Sequence, residues 1–194
     1  MKELIGFAAV ALAFVAYAPY FRDILRHKVQ PHPFSWFIWG FAASLIFVLQ
    51  ILHGGGPGAY TTLTVAFISF IICILASRQV DRITITRHDW MMLGVALIAL
   101  GVWLLVDQPT LAMLLLVSAD MFGFIPSIRK TWQRPYSETL TMWAINGFRH
   151  GLSILALSSY TLLTLANPVV WTIGNFGFCA IILWRRRVML RERH

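Results

Sequence analysis

Three side chains that can bind a solute or carry a proton interrupt long apolar runs of the sequence: Asp120, Arg149 and Asn175. Counted at about 1.5 Å per helical residue, Asp120 lies roughly 13 Å inside its run, which ends at Arg129. The same count places Arg149 roughly 15 Å and Asn175 roughly 13 Å inside their own runs. All three would fall near the middle of a hydrocarbon layer about 30 Å thick, where ionisable groups are costly and are functional candidates.

The chemistry of Asp120 and Arg149 has two interpretations. Either they form a buried ion pair that holds two helices together, or Asp120 is a proton or cation site or the partner of a cationic substrate. His150 also has two interpretations: it titrates in a proton-coupled cycle, or it forms a hydrogen bond between helices. The residues alone leave both questions open.

Aromatic and amide side chains recur at helical spacing in three of the runs. They are Trp143, Asn146, His150 and Ser153 on one face, Trp171, Asn175 and Phe178 on another, and Trp36, Trp39 and Gln50 in a third stripe. Rings can stack on the apolar face of a polar organic molecule, while amides recognise its hydroxyl groups or carboxylate. We expect Trp36 to anchor the chain at the membrane interface. The predicted binding residues are Asn175, Asn146, Trp143, Trp39 and Trp171.

Three prolines interrupt or end the same runs. Pro19 and Pro126 stand near the ends of the first and fifth runs, where a missing backbone N–H makes them either gate hinges or static helix ends. Pro168 either kinks the last helix or marks its start.

The composition requires a membrane environment for these elements. Hydrophobic residues make up 58% of the 194 residues and charged residues only 12%, about half the charged share of a soluble domain. The uncharged runs are 4–20, 34–52, 59–77, 90–106, 110–128, 139–157 and 160–184. We therefore predict an all-α integral membrane protein, a single membrane domain over 1–194 with seven transmembrane helices. A signal-peptide interpretation of the first run is disfavoured because Pro19 follows the small-residue motif that ends at Ala18.

Basic residues predict the orientation, because short loops rich in Lys and Arg remain cytoplasmic. They lie in alternate loops: Arg22, Arg26 and Lys28; Arg78, Arg82 and Arg87; Arg129, Lys130 and Arg134; and five arginines in the tail 185–194. We expect the amino terminus outside, the basic tail in the cytoplasm, and residence in the plasma or inner membrane. These loops also account for the net charge of +8, so we expect no nucleic-acid partner. No metal or cofactor is predicted, since Cys73 and Cys179 have no partner at metal-ligand spacing.

An internal repeat relates residues 16–40 to 122–147. Pro19 and Arg22 match Pro126 and Arg129 as Pro-x-x-Arg, and Pro31 precedes Trp39 by the same interval that separates Pro135 from Trp143. With this alignment the loops differ in length. The repeat predicts a 3+1+3 arrangement: repeats 4–77 and 110–184, joined by a linker helix 90–106 that makes the two three-helix bundles parallel. The competing explanation is that Pro and Trp are common near the ends of membrane helices.

The topology and the paired prolines followed by basic loops resemble the SWEET and PQ-loop superfamily of small-solute transporters over nearly the whole chain. The naming dipeptide is absent, because Pro19 precedes Tyr20 and Pro126 precedes Ser127, so the chain resembles a divergent member. The resemblance implies a binding-site Asn in the last helix, which Asn175 would supply. The corresponding part of the third run has no Asn, so Ser69 or Thr64 would substitute in an asymmetric pocket.

These observations predict a transporter of a small polar organic solute, sugar-like or similar to an amino acid or nucleoside, using alternating access around a midplane site. The alternative is a receptor or assembly factor on the same scaffold that binds without transporting. An enzyme is not expected, because no nucleophile and base are suitably placed. The expected partners are the small-molecule substrate and the lipid bilayer, and a homo-oligomer is compatible with the sequence.

Overall fold

The computed structural model describes residues 1–27, 31–79 and 85–191. Seven α-helices occupy these residues: α1 (Lys2–Leu25), α2 (Pro33–Leu52), α3 (Tyr60–Ser77), α4 (Arg87–Val106), α5 (Pro109–Gln133), α6 (Leu140–Ala156) and α7 (Leu162–Arg191). A 3₁₀ turn, Gly56–Ala59, lies between α2 and α3, and another, Pro135–Ser137, lies between α5 and α6. The described residues contain no strand. Lys28, Arg82 and Arg193, which contributed to the predicted orientation, lie outside the described residues. So does the side chain of Pro126, whose backbone continues α5.

Five segments within the described ranges are long and apolar enough to cross a membrane. They are Lys2–Leu25, Pro33–Leu52, Gly56–Ser77, Arg87–Val106 and Leu162–Leu190. Their exposed apolar side chains, such as Phe7 and Leu105, suit lipid and not water. The protein is therefore an all-helical, multi-pass membrane protein.

The other two helices, α5 and α6, carry polar residues of the sequence prediction. α5 includes Asp120. α6 has 17 residues and buries Arg149 and His150. The polar groups of the second half of the chain are thus concentrated on these two helices and on α7.

Local chemistry explains several helix boundaries. Pro33 is the first residue of α2, where its missing N–H costs nothing, and His32 Nδ1 accepts a hydrogen bond from the Ser35 N–H. α4 begins with a capping box in which the Thr86 and Asp89 side chains accept from each other's backbone N–H. α1 continues past Pro19 to Leu25, so Pro19 lies inside a helix and not at its end.

Pro168 also lies inside its helix, since α7 begins at Leu162. A proline leaves the carbonyl one helical turn earlier without its helical donor, and that carbonyl belongs to Thr164. Gln50 of α2 donates to it instead, with Nε2 3.1 Å from the Thr164 oxygen. A side chain from another helix thus compensates for the interruption.

α3 contacts both α1 and α2, α7 contacts both α5 and α6, and α4 contacts α2 and α5. We call α1–α3 the first helix set and α5–α7 the second. The largest interface between the sets joins α1 to α6. The main apolar core lies on the opposite side, where Ala42, Leu49, Ala99, Met113 and Leu116 are buried between α2, α4 and α5.

The ends of the bundle are named by their connections. Residues 53–59 and 157–161 lie at the glycine-loop end, and Arg22, Arg78 and Arg185 lie at the basic end.

Aromatic contacts of the first set recur in the second at a constant difference in residue number, which we call the repeat offset. Tyr17 packs against Trp36, and Phe124 packs against Trp143. Phe124 follows Tyr17 by the same number of residues as Trp143 follows Trp36, and this number is the repeat offset. The same offset relates the first residues of α2 and α6, Pro33 and Leu140, and also relates Pro19 to Pro126.

A glycine contact recurs as well. A Cβ built on Gly40 would lie 3.0 Å from the Phe70 ring, and one built on Gly147 would lie 3.0 Å from the Phe176 ring. Gly147 follows Gly40 by the repeat offset, and Phe176 follows Phe70 by one residue less. In this register Trp143 corresponds to Trp36 and not to Trp39, and the two loops need no difference in length.

Candidate functional site

Arg149 lies at the centre of α6 and is almost fully enclosed, with 2% of its surface exposed. Its Nε donates to Asn146 Oδ1 at 3.1 Å, and its Nη2 lies 2.7 Å from His150 Nε2. Because a guanidinium only donates, His150 must accept through Nε2 and carry its proton on Nδ1. Within the described residues, Nη1 of Arg149 has no hydrogen-bond partner.

Asn146 and Asn175 are both buried and are held by their own helices. Asn146 Nδ2 donates to the Met142 carbonyl at 3.1 Å, and Asn175 Nδ2 donates to the Trp171 carbonyl at 2.6 Å. Each amide therefore has a fixed orientation, with its oxygen directed away from those carbonyls. The oxygen of Asn146 accepts from Arg149.

Asp120 of α5 does not form an ion pair with Arg149. No acidic group lies within 4.0 Å of Arg149 in the described part of the chain, so the ion-pair interpretation is not the arrangement found there. The Asp120 side chain instead lies near the Trp171 side chain of α7. Arg149 is turned toward its own helix and toward α1, where Tyr17 is in electrostatic range. We refer to Asp120, Asn146, Arg149, His150 and Asn175 as the polar centre.

An aromatic cluster adjoins the polar centre: Phe124 of α5, Trp143 of α6, and Trp171 and Phe178 of α7. The Phe124 ring contacts the other three rings, and the Trp143 ring also contacts that of Phe178. The ring centroids are between 4.6 and 5.7 Å apart. His150 stacks on Trp171, with centroids 6.2 Å apart and an interplanar angle of 16°. The structure thus brings the predicted Trp143 and Trp171 together with the polar centre on three helices of the second set.

Trp39 is the predicted binding residue that lies apart from this cluster. It packs edge-on against Trp36, which in turn contacts Tyr17 and Tyr20 of α1. The aromatic residues of the first set therefore form a group of their own, in which Tyr17 is within electrostatic range of Arg149.

The sequence interpretation missed Phe124 and Tyr17. Phenylalanine and tyrosine in an apolar run carry little signal individually. Their shared position, just before Pro126 and Pro19 and at the same distance from each proline, is the feature that could have found them.

A second polar group joins the two helix sets at the glycine-loop end. Thr62 of α3 donates to Gln50 Oε1 at 2.8 Å, and Asn167 of α7 reaches Thr62 Oγ1 at 3.4 Å. Together with the bond from Gln50 to the Thr164 carbonyl, these contacts connect α2 and α3 to α7. All four residues of this group are buried: Gln50, Thr62, Thr164 and Asn167.

Backbone contacts reinforce the same end. The Ser158 N–H donates to the Gly55 carbonyl at 3.3 Å, and Lys2 Nζ donates to the Leu157 carbonyl at 2.6 Å. Gly58 approaches α6 so closely that an added Cβ would lie 2.3 Å from the Ser153 carbonyl oxygen. The glycine-loop end is therefore closed between the two sets.

Two further observations concern ligands and relatives. Over residues 1–27, 31–79 and 85–191, no three His, Cys, Asp or Glu side chains are grouped as metal ligands. Comparison of the chain with protein-family models, characterised proteins and solved structures gives no match.

Proposed function

We propose that this protein transports a small polar organic solute across the membrane by alternating access, with the substrate bound at the polar centre. The observation that carries the proposal is the polar centre itself. A buried, incompletely bonded arginine and two oriented amides adjoin four aromatic rings in the second set, whose helix α6 packs against α1 of the first. Such a combination of convergent polar groups and apolar walls is typical of small-molecule sites.

The proposal includes the 3+1+3 arrangement with all seven helices spanning the membrane. Its support is the contact of α3 with both α1 and α2 and of α7 with both α5 and α6, together with the contacts that recur at the repeat offset. At about 1.5 Å per residue, the 17 residues of α6 cover roughly 26 Å, close to the hydrocarbon thickness. Membership of the SWEET and PQ-loop superfamily, with the basic end in the cytoplasm, belongs to the same proposal.

The closed glycine-loop end suggests how access would alternate. The hydrogen bonds of Gln50 and the close approach of Gly58 to α6 hold the two sets together at the glycine-loop end. A substrate can reach the polar centre from this end only after these contacts break. Pro19 inside α1 lacks one backbone hydrogen bond and would allow the helix to bend during the change. The contacts at the glycine-loop end act as the outer gate in this mechanism.

Uptake into proteoliposomes tests the proposal. Purified protein would be reconstituted and assayed with radiolabelled sugars, amino acids, nucleosides and organic acids, with protein-free vesicles as the control. We expect saturable uptake and counterflow of at least one class. Saturable binding without any vesicular accumulation or exchange would support the receptor alternative and contradict transport.

A further inference from the structure

The unsatisfied hydrogen-bonding capacity of Arg149 indicates what kind of molecule the polar centre takes. A guanidinium has five N–H donors, of which Nε and one Nη2 hydrogen are used inside α6. Nη1 is buried without a partner among the described residues. An enclosed charge without a counter-charge is strongly unfavourable, so the isolated protein leaves this site incomplete.

No described neighbour supplies the missing negative charge. On α6 itself Asn146 and His150 are neutral acceptors, and on α1 the nearby group is the Tyr17 hydroxyl. On α5 the carboxylate of Asp120 is not within 4.0 Å of the guanidinium. The counter-charge must then come from a bound molecule.

We propose that Arg149 binds the carboxylate group of the transported solute. A guanidinium presents parallel N–H groups that match the two oxygens of a carboxylate, a geometry that favours this anion over a hydroxyl group. Asn146 and His150 fix the orientation of the guanidinium before the ligand arrives. The inference rests on the proposed function, because it names the substrate class of the same site.

The aromatic cluster indicates the chemistry of the rest of the ligand, and the difference between the two sets indicates how many carboxylates it carries. His150, bonded to Arg149, stacks on Trp171, so the cluster begins beside the guanidinium and can cover an apolar or planar body. In the first set the repeat offset places Ala42, a buried core residue, at the position that corresponds to Arg149. The centre therefore offers one guanidinium, which suits an organic monocarboxylate.

Matched pairs of probes that differ only in the carboxylate test the inference on the unmodified protein. Gluconate and gluconamide form one pair, and benzoate and benzamide form another. Each would be assayed for thermal stabilisation of the detergent-purified protein and for uptake into proteoliposomes at constant ionic strength. We expect one carboxylate at least to raise the Tm and to act at a concentration at least about tenfold below that of its neutral partner.

Two variants and a control locate the effect. We expect Arg149→Gln to lose the preference for the carboxylate and Arg149→Lys to keep part of it, because an ammonium retains the charge without the planar fork. Arg22→Gln is the control, since Arg22 is exposed at the basic end and paired with Asp23. It should keep the preference in full.

The outcomes separate this inference from the proposed function. If neutral members bind and move as well as their acids, or if Arg149→Gln keeps the preference, carboxylate recognition is overturned while transport stands. If carboxylates bind at Arg149 but none of the wider solute panel is transported, the recognition stands and the transport proposal falls. If no probe of the pairs or the panel binds or moves, both are overturned.

Discussion

Gln50 of α2 donates its side-chain amide to the Thr164 carbonyl of α7, the backbone oxygen that Pro168 leaves without a donor of its own. The same amide accepts from the Thr62 hydroxyl through its oxygen. One side chain thus satisfies groups on both helix sets, and the proline is what makes one of those groups available. The glycine-loop end is therefore held closed by a bond from α2 to a carbonyl of α7 that Pro168 leaves without its helical donor.

Substitution of Gln50 by Leu should weaken this end of the bundle. It leaves the Thr164 carbonyl and the Thr62 hydroxyl buried without their partner, at a cost of about 1–3 kcal/mol in the free energy of unfolding. The measurement is unfolding of the purified protein in detergent. We expect the same variant to speed solute exchange if opening of this end limits the rate.

Pro168→Ala tests the explanation of that bond through a double-mutant cycle. Alanine restores an N–H that can bond to the Thr164 carbonyl within α7, so Gln50→Leu should cost less in the Pro168→Ala background. We expect a coupling of about 0.5–1.5 kcal/mol between the two positions. Additive effects would show that Gln50 does not compensate for the proline.

Gly58→Ala tests how closely the two sets must approach. A Cβ at Gly58 would lie 2.3 Å from the Ser153 carbonyl oxygen, so the turn and α6 must separate. We expect a loss of about 1–3 kcal/mol and a lower Tm. Gly94→Ala is the matched control, because nothing lies within 4 Å of the added atom and alanine favours the α4 helix. Equal effects of the two substitutions would contradict a tight contact at Gly58.

Asp120→Asn tests whether solute movement is coupled to protons. Asp120 lies near Trp171, which stacks on His150, so a change in the charge of Asp120 would affect the substrate site. We expect the variant to exchange solute but to lose accumulation driven by an inward proton gradient. Asp107→Asn is the control, since Asp107 is exposed at the end of α4 in a left-handed conformation that Asn tolerates. Unchanged gradient-driven accumulation in Asp120→Asn would remove the coupling proposal.

The helices themselves could be predicted from hydrophobic runs, but α1, α5 and α7 each continue beyond the predicted carboxyl end. The predicted run 34–52 became Pro33–Leu52 and 139–157 became Leu140–Ala156, because proline and polar caps coincide with the change in hydropathy. The predicted 4–20 was too short, since α1 continues to Leu25 through Arg22 and Asp23, which protrude beyond the apolar run. Charge ends a hydrophobic run without ending a helix.

The partners of Arg149 could not be predicted in the same way. Spacing places Arg149 beside the face that carries Asn146 and His150, but the helix that covers this face depends on how α6 packs in three dimensions. An ion pair with Asp120 was one of two interpretations, and it rested on the opposite charges. In the structure α6 packs against α1, and no acidic group lies within 4.0 Å of Arg149 among the described residues.

Asn175 and Ser69 offer a comparison between the two helix sets. Ser69 lies directly before Phe70, and Asn175 lies directly before Phe176, whose rings occupy equivalent places against Gly40 and Gly147. If Asn175 contacts substrate, Asn175→Ala should raise the KM for uptake by about tenfold, since a bound polar group loses its partner. Ser69 is buried and its hydroxyl has no hydrogen-bond partner within the described residues. Ser69→Ala should therefore leave the KM unchanged and maintain or raise the Tm. A comparable rise in KM from both variants would mean that the pocket draws on both sets symmetrically, and the concentration of polar groups in the second set would then not define the site.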